Sequence, residues 1–272
     1  RDLHSFPTRR SSDLKMKILV CIKQVPDTTD IRWTENNTIQ RDGLESVINP
    51  YDLYALEEAI KIKRSRNDVT ITALTMGPSQ AEEILRKAIA LGCDEGCLLC
   101  DKKFAGADTY ATSRTISSAI RHHFNDFDLI ICGQFAVDGD TAQTGPSIAA
   151  KLEIPQVTYV KEVIDSNEFY LTARRELEDG IETVQVKLPA LICVLMGNYE
   201  TSRPTINGIK RAQSAKIKVL TLEDILLQPE EAGLKGSPTY VSKAFRMIKK
   251  HHCMFIETNR LIQKLTEAKA DE

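Results

Sequence analysis

Between Asp128 and Pro146 an apolar run, Leu129-Ile130-Ile131-Cys132, breaks at Gly133 into a loop rich in small and hydrogen-bonding residues. The loop reads Gln134, Phe135, Ala136, Val137, Asp138, Gly139, Asp140, Thr141, Ala142, Gln143, Thr144, and Ser147 to Leu152 then reads as a helix. A run without alternation matches a strand covered on both faces. Hydroxyls and free backbone N–H groups between such a strand and a helix start suit the reception of phosphate, because loop amides and the helix N-terminus both present positive partial charge. The same residues also suit an ordinary strand-to-helix turn whose Asp and Thr side chains cap the helix. Two carboxylates so close together do not favour a phosphate.

Other chemistries find less support. No Ser-His-Asp or Cys-His set, no paired catalytic carboxylates and no metal motif stand out, which argues against a hydrolase. Cys93, Cys97 and Cys100 cluster, but no partner pair or His follows at finger-like spacing. His122-His123 and His251-His252 are adjacent pairs, whose side chains diverge on a helix or strand. The odd count of seven cysteines, several in apparent core strands, argues against a disulfide scaffold and for a reducing, cytoplasmic setting. A formal charge of −2 offers no basic field for nucleic acid, and no unbroken apolar stretch reaches the length of a membrane span.

The elements that must position the loop alternate strand and helix from Met16 onward, as in an open parallel sheet with helices on both faces. Lys17 to Ile22 reads as a strand, and Asn49-Pro50 as an N-cap with a first-turn proline. Leu53, Leu56, Ala59 and Ile60 share a face of the helix that follows. Val69 to Thr75 is a strand, Ala81 to Leu91 a helix stopped by Gly92, Cys97 to Cys100 a strand and Thr109 to His122 a helix. After Pro155 the pattern changes to a β-meander over 156–187, with Asp165-Ser166-Asn167 and Asp179-Gly180 as its turns. Leu188 to Val194 returns to the main sheet, and Asn198 to Lys218 reads as polar loop. The stretch beyond Pro229 reads as unable to bury itself, and Glu257 to Ala268 as a helix with Leu261, Ile262 and Leu265 on one stripe. The division expected is a leader over 1–15, an α/β nucleotide-binding domain over 16–220 and a C-terminal arm over 221–272. Arg1 to Lys15 is set aside as non-native or disordered, since it resembles translated sequencing-adapter read-through.

Five segments in order carry a resemblance: Cys21-Ile22-Lys23-Gln24-Val25-Pro26-Asp27, Ile48-Asn49-Pro50-Tyr51-Asp52, Leu74-Thr75-Met76-Gly77-Pro78, Phe104-Ala105-Gly106-Ala107-Asp108-Thr109, and the 128–146 stretch. Together they resemble the beta subunit of an electron transfer flavoprotein. The Asp138-Gly139-Asp140-Thr141-Ala142-Gln143 form is similar to the branch that carries a second FAD in this subunit; the other branch holds AMP there.

The resemblance implies an alpha-subunit partner with its own FAD, on which the C-terminal arm and helix would dock. For the two-FAD branch it implies hydride acceptance from NADH and division of the electrons, one toward a high-potential route and one toward ferredoxin or flavodoxin. By motif the adenine nucleotide would lie against Cys21, Asn49, Pro50, Tyr51, Asp52, Met76 and the stretch from Gly133 to Thr144. A flavin ring would face Lys23, Val25, Asp27, Gly106, Asp108 and Thr109, with Lys23 raising its potential. Glu176 matches a family carboxylate near the alpha-subunit flavin domain. Ile206 opens a segment presented to acyl-CoA dehydrogenases, although Thr205-Ile206-Asn207-Gly208 replaces the commoner Thr-Leu-Pro-Asn. Gln134-Phe135 stands where relatives usually have a basic residue then Gln, and Thr144 where the two-FAD branch often has Val, so FAD and AMP both remain candidates. A nucleotide-sensing protein of the universal-stress type is the alternative from a different class, but it would need a glycine-rich phosphate loop of its own.

Overall fold

The computed structural model describes residues 15–27, 46–66, 68–197, 200–240 and 260. The first strand, β1 (Met16–Cys21), is apolar on both faces and becomes the centre of a sheet. Two short strands, β2 (Gln24–Pro26) and β3 (Ser46–Ile48), pair antiparallel beside its end. Helix α1 (Pro50–Ser65) opens on a proline, whose missing N–H costs nothing in a first turn, and closes with Lys63 and Arg64 against the negative end of the helix dipole. Then come β4 (Val69–Met76), α2 (Glu82–Leu91), β5 (Glu95–Leu99), α3 (Thr109–His123), β6 (Leu129–Gly133) and α4 (Thr144–Leu152). The meander β7 (Gln156–Ser166), β8 (Tyr170–Leu177) and β9 (Gly180–Lys187) precedes β10 (Ala190–Val194), α5 (Ile206–Ser214) and β11 (Lys218–Leu220).

Nine of the strands form one sheet in the order β11-β5-β4-β1-β6-β10-β7-β8-β9, and β2 and β3 remain a separate pair. All pairings from β11 to β7 are parallel, and only the meander runs antiparallel. Both faces of the parallel part are covered. Leu56, Ile84, Leu85 and Ile89 from α1 and α2 pack with Ile18, Val20 and Ile71 on one side. Ile116, Ile120, Ile148 and Leu152 from α3 and α4 pack with Leu19, Ile130 and Leu191 on the other. The α/β reading of the sequence, with its meander, is therefore borne out; the meander widens the main sheet instead of standing apart from it.

One reading differs from the structure. The polar stretch after residue 198 contains a helix, α5, and an edge strand, β11. Thr205 caps α5 through the Gly208 N–H, and Gly208 lets the helix lie directly on the Ala90 carbonyl, where a Cβ would come within 2.2 Å. Only Gly208 and Ala212 of α5 are buried, too few to leave an apolar period in the sequence. Beyond β11, Leu222, Ile225, Leu227 and Ala232 sit in the second core, while from Leu234 to Tyr240 the chain is exposed or half-buried. The helix expected over Glu257 to Ala268 with its Leu261, Ile262 and Leu265 stripe, His251-His252, and the leader up to Leu14 lie outside the described residues, Arg260 apart. Among the described residues no helix is long and apolar enough to cross a membrane.

Candidate functional site

Winding starts at β1, moves outward through β4 to β5, then returns by α3 to β6 on the other side of β1. Helices α1 and α2 lie on one face and α3 and α4 on the other, so loops leaving β1 and β6 diverge. That divergence opens the crevice in which doubly wound sheets place their ligands. Of the residues that the motifs single out for the nucleotide, those at the ends of β1, β4 and β6, at the start of α1 and at Thr109 come to this edge, while Glu176 and Ile206 do not.

The floor is a row of thiols. Cys21 is paired in register with Cys132, and Cys132 with Cys193. The start of α4 rests on them: a Cβ at Gly145 would lie 2.4 Å from Cys193 Sγ. The hydrogen bond to Cys21 and burial hold the Cys132 thiol well above its ordinary value, and burial pushes Cys193 up to about 12. These buried thiols stay protonated and act as small apolar groups. Met76, at the end of β4, packs on the same core.

Around the floor the loop after β6 is tightly folded. Ala136 O accepts from the Gly139 N–H at 3.1 Å and the Asp140 N–H at 2.8 Å. Asp140 and Ala142 take φ of 47° and 55°, a region that costs a residue with a Cβ about 1–2 kcal/mol and that clusters at ligand clamps. Nothing stands within 4 Å of a Cβ built at Gly139, so the loop's tip faces open space. Gln143 makes no side-chain cap at the start of α4, which leaves the N–H groups of Thr144 and Gly145 available, as an anion site requires, Pro146 having none. The capping alternative therefore fails for this helix. Thr109, the first residue of α3, comes within 3.5 Å of Thr141, hydroxyl to hydroxyl, and brings the Gly106–Thr109 segment to the same rim. Lys23 Nζ binds Asp138 Oδ1 at 2.6 Å, which offsets one of the two loop carboxylates.

Several residues do something other than their motif suggested. Asn49 occupies the N-cap position of α1 without capping it. Its side chain donates to Phe135 O at 2.8 Å and accepts the Val137 N–H at 3.2 Å. Asp52 accepts the N–H groups of Lys23 and Gly133. Gln134 is buried, with its side-chain oxygen on the Tyr159 N–H, and Phe135 stacks edge-on between Tyr51 and Tyr159. Val25 is buried, and Gly106 is covered by Leu234. Asp108 caps α3 through the Ala111 N–H and accepts both the N–H and the hydroxyl of Thr239. Burial opposes its ionisation, but those hydrogen bonds prevail and hold its carboxyl below the ordinary range. Sequence reasoning missed Tyr159, Ser237 and Thr239, whose partners lie far along the chain and leave no local signal.

The electron transfer flavoprotein domain matches residues 36–225, a span that includes the sites from Asn49 to Ile206. An electron transfer flavoprotein subunit beta from Thermoanaerobacterium thermosaccharolyticum is 48% identical over 229 residues, covering 83% of this chain and 86% of the relative. The chain belongs to the electron transfer flavoprotein family. It is also similar to the caffeyl-CoA reductase-Etf complex subunit CarD of Acetobacterium woodii, at 41% identity over 85% of this chain and 87% of the relative. The acryloyl-CoA reductase electron transfer subunit gamma of Anaerotignum propionicum is 43% identical over 85% of this chain and 88% of its own length.

Within this electron transfer flavoprotein fold, Glu176 and Ile206 lie apart from the rim. Glu176 sits on β8 and pairs with Lys161 at 2.9 Å, half exposed. Ile206 begins α5 and is 76% exposed. An adenine nucleotide fits the donors that the rim presents: the uncapped start of α4, the hydroxyls of Thr109 and Thr141, and the open space beside Gly139.

Proposed function

We propose that this chain is the beta subunit of a heterodimeric electron transfer flavoprotein, and that its rim from Gly133 to Thr144 holds the adenosine diphosphate part of FAD. The observation that carries the reading is the uncapped N-terminus of α4, reached by a strained loop at the switch point of the sheet. Bound FAD supplies the redox chemistry, as cofactors do in general. The chain's own residues bind and shield. Amides at the start of α4 and the Thr144 hydroxyl would receive the diphosphate, and Thr109 and Thr141 would add hydroxyl donors at the outer edge. Lys23 offsets Asp138 beside them. Cys21 and Met76 offer a pliable surface for a flat ring.

In this reading electrons pass between NADH or an acyl-CoA dehydrogenase and other carriers such as ferredoxin or flavodoxin, by bifurcation between two flavins. The names of the relatives, which include subunits of caffeyl-CoA and acryloyl-CoA reductase assemblies, support a partner that acts on an acyl-CoA. Ile206, exposed at the head of α5, is the contact we assign to that partner, and Glu176 the contact for the alpha subunit. AMP as a structural nucleotide is the second reading, and the departures at Gln134, Phe135 and Thr144 keep it open. Co-expression with the alpha subunit, followed by extraction and mass identification of the nucleotides, tests both. Two FAD per heterodimer is the expected result; one FAD with one AMP selects the second reading, and no adenine compound beyond the partner's FAD removes both.

A further inference from the structure

The first turn of α1 sends two polar side chains inward, onto the backbone of the loops that form the rim. Asp52 Oδ2 accepts the Lys23 N–H at 2.7 Å and Oδ1 accepts the Gly133 N–H at 3.2 Å. One carboxylate thus spans the ends of β1 and β6, the strands on either side of the switch point. Asn49 holds Phe135 O and the Val137 N–H, and its own N–H donates to Lys23 O at 2.9 Å. Asn49 and Asp52 are 1% and 5% exposed, which places them beneath the rim. Gly133 is required by the same arrangement, since a Cβ there would stand 2.3 Å from Asp52 Oδ1.

We infer that Asn49 and Asp52 are positioning residues that brace the backbone from Gly133 to Val137 from below, and that ionised Asp52 is the bracing form. The inference rests on the nucleotide role proposed for this rim. An ionised carboxylate accepts at both oxygens. A proton on either one turns an acceptor into a donor facing an N–H and cancels one of the two bonds. Burial pushes the Asp52 carboxyl up to about 7, against the lowering effects of the Lys23 N–H, Asn49, the Gly133 N–H and the Lys23 charge. The ionisable groups facing it are Lys23 beyond β1, with Asp138 paired to it, Cys132 on β6 and Cys193 on β10. Both thiols stay protonated well above neutrality, Cys132 through its bond to Cys21 and burial, Cys193 through burial. Between pH 6 and 8 Asp52 therefore titrates against these two thiols in one fixed state.

The test follows nucleotide release from the purified heterodimer. FAD is a suitable probe because its diphosphate keeps its charge across this pH range, and the partner subunit's own nucleotide serves as an internal reference. In the unmodified protein, release from this chain should be about tenfold faster at pH 6 than at pH 8, the factor expected for one lost bond to a charged acceptor. Asp52→Asn should release about tenfold faster at pH 8 and show no further change at pH 6. Asn49→Ala should release faster at both values and keep the pH dependence. Equal rates at the two pH values in the unmodified protein overturn the inference without recourse to any variant, as does an Asp52→Asn protein that releases no faster at pH 8. If the unmodified heterodimer carries no second nucleotide, the proposed function falls, and this inference with it.

Discussion

Lys23 and Asp138 show what one charged pair on the rim can and cannot do. Their side chains are 49% and 25% exposed, and pairs so open to water contribute about 0–1 kcal/mol, less in salt. The pair removes a repulsive charge from a phosphate site more than it stabilises the fold. Lys23→Ala should leave the melting temperature nearly unchanged and weaken nucleotide binding about two- to fivefold at low salt, an effect that shrinks near 0.5 M salt. Titration at the two ionic strengths checks this. Asp52 predicts an opposite pair of signs. Its folded value, about 7, lies above the ordinary 3.8, so the folded protein keeps a proton that the unfolded chain has released. Its contribution to stability is complete below about pH 4 and is lost as pH rises through about 7. Asp52→Asn lacks that slope. The melting temperature of the variant relative to the parent should therefore rise between pH 5 and pH 8, while nucleotide release follows the reverse trend; a constant difference would mean an unshifted carboxyl.

At the scale of elements, the loop after β6 and helix α5 carry the sharpest expectations. Ala142 is held at φ 55°, where glycine avoids a cost of about 1 kcal/mol. Ala142→Gly should raise the urea midpoint and weaken nucleotide binding, because the loop loses preorganisation. Helix α5 depends on close contact with α2. Gly208 leaves room for the Ala90 carbonyl, and Arg86 holds the carbonyls of Ala212, Gln213 and Ala215 at the other end. Gly208→Ala should cost about 1–3 kcal/mol, as overpacking does, read from denaturant unfolding. Ile206 would then lose its fixed presentation.

For the whole molecule, the notable feature is how the chain after β11 closes over the site's edge. Leu222, Ile225 and Ala232 enter the second core, Leu234 covers Gly106, and Asp108 ties Ser237 and Thr239 to the start of α3. Thr239 thus lies against Asp108, next to Thr109 and the rim. Asp108→Ala removes both a helix cap, worth about 1 kcal/mol, and the anchor of this segment. Tryptic cleavage at Lys235 should accelerate severalfold, a measure of local opening, while Asp108→Asn, which keeps the cap, should show a smaller change.

Local period and turn chemistry in the sequence were enough for the alternation of strands and helices and for the meander: Leu129 to Cys132 as a covered strand, Gly92 as a stop, Gly133 as a break. Motif order was enough to point to the family. Tertiary structure alone decided what the motif side chains do. Asn49 looks like a cap and Asp52 like a ligand when read along the chain, but their partners, Phe135, Val137 and Gly133, lie more than eighty residues away. Helix α5 was hidden for a related reason: it is held by the close approach of Gly208 to the Ala90 carbonyl and by Arg86 on its last carbonyls, contacts that leave no hydrophobic period. Contacts between distant segments are set by how the sheet winds, and no local pattern records them.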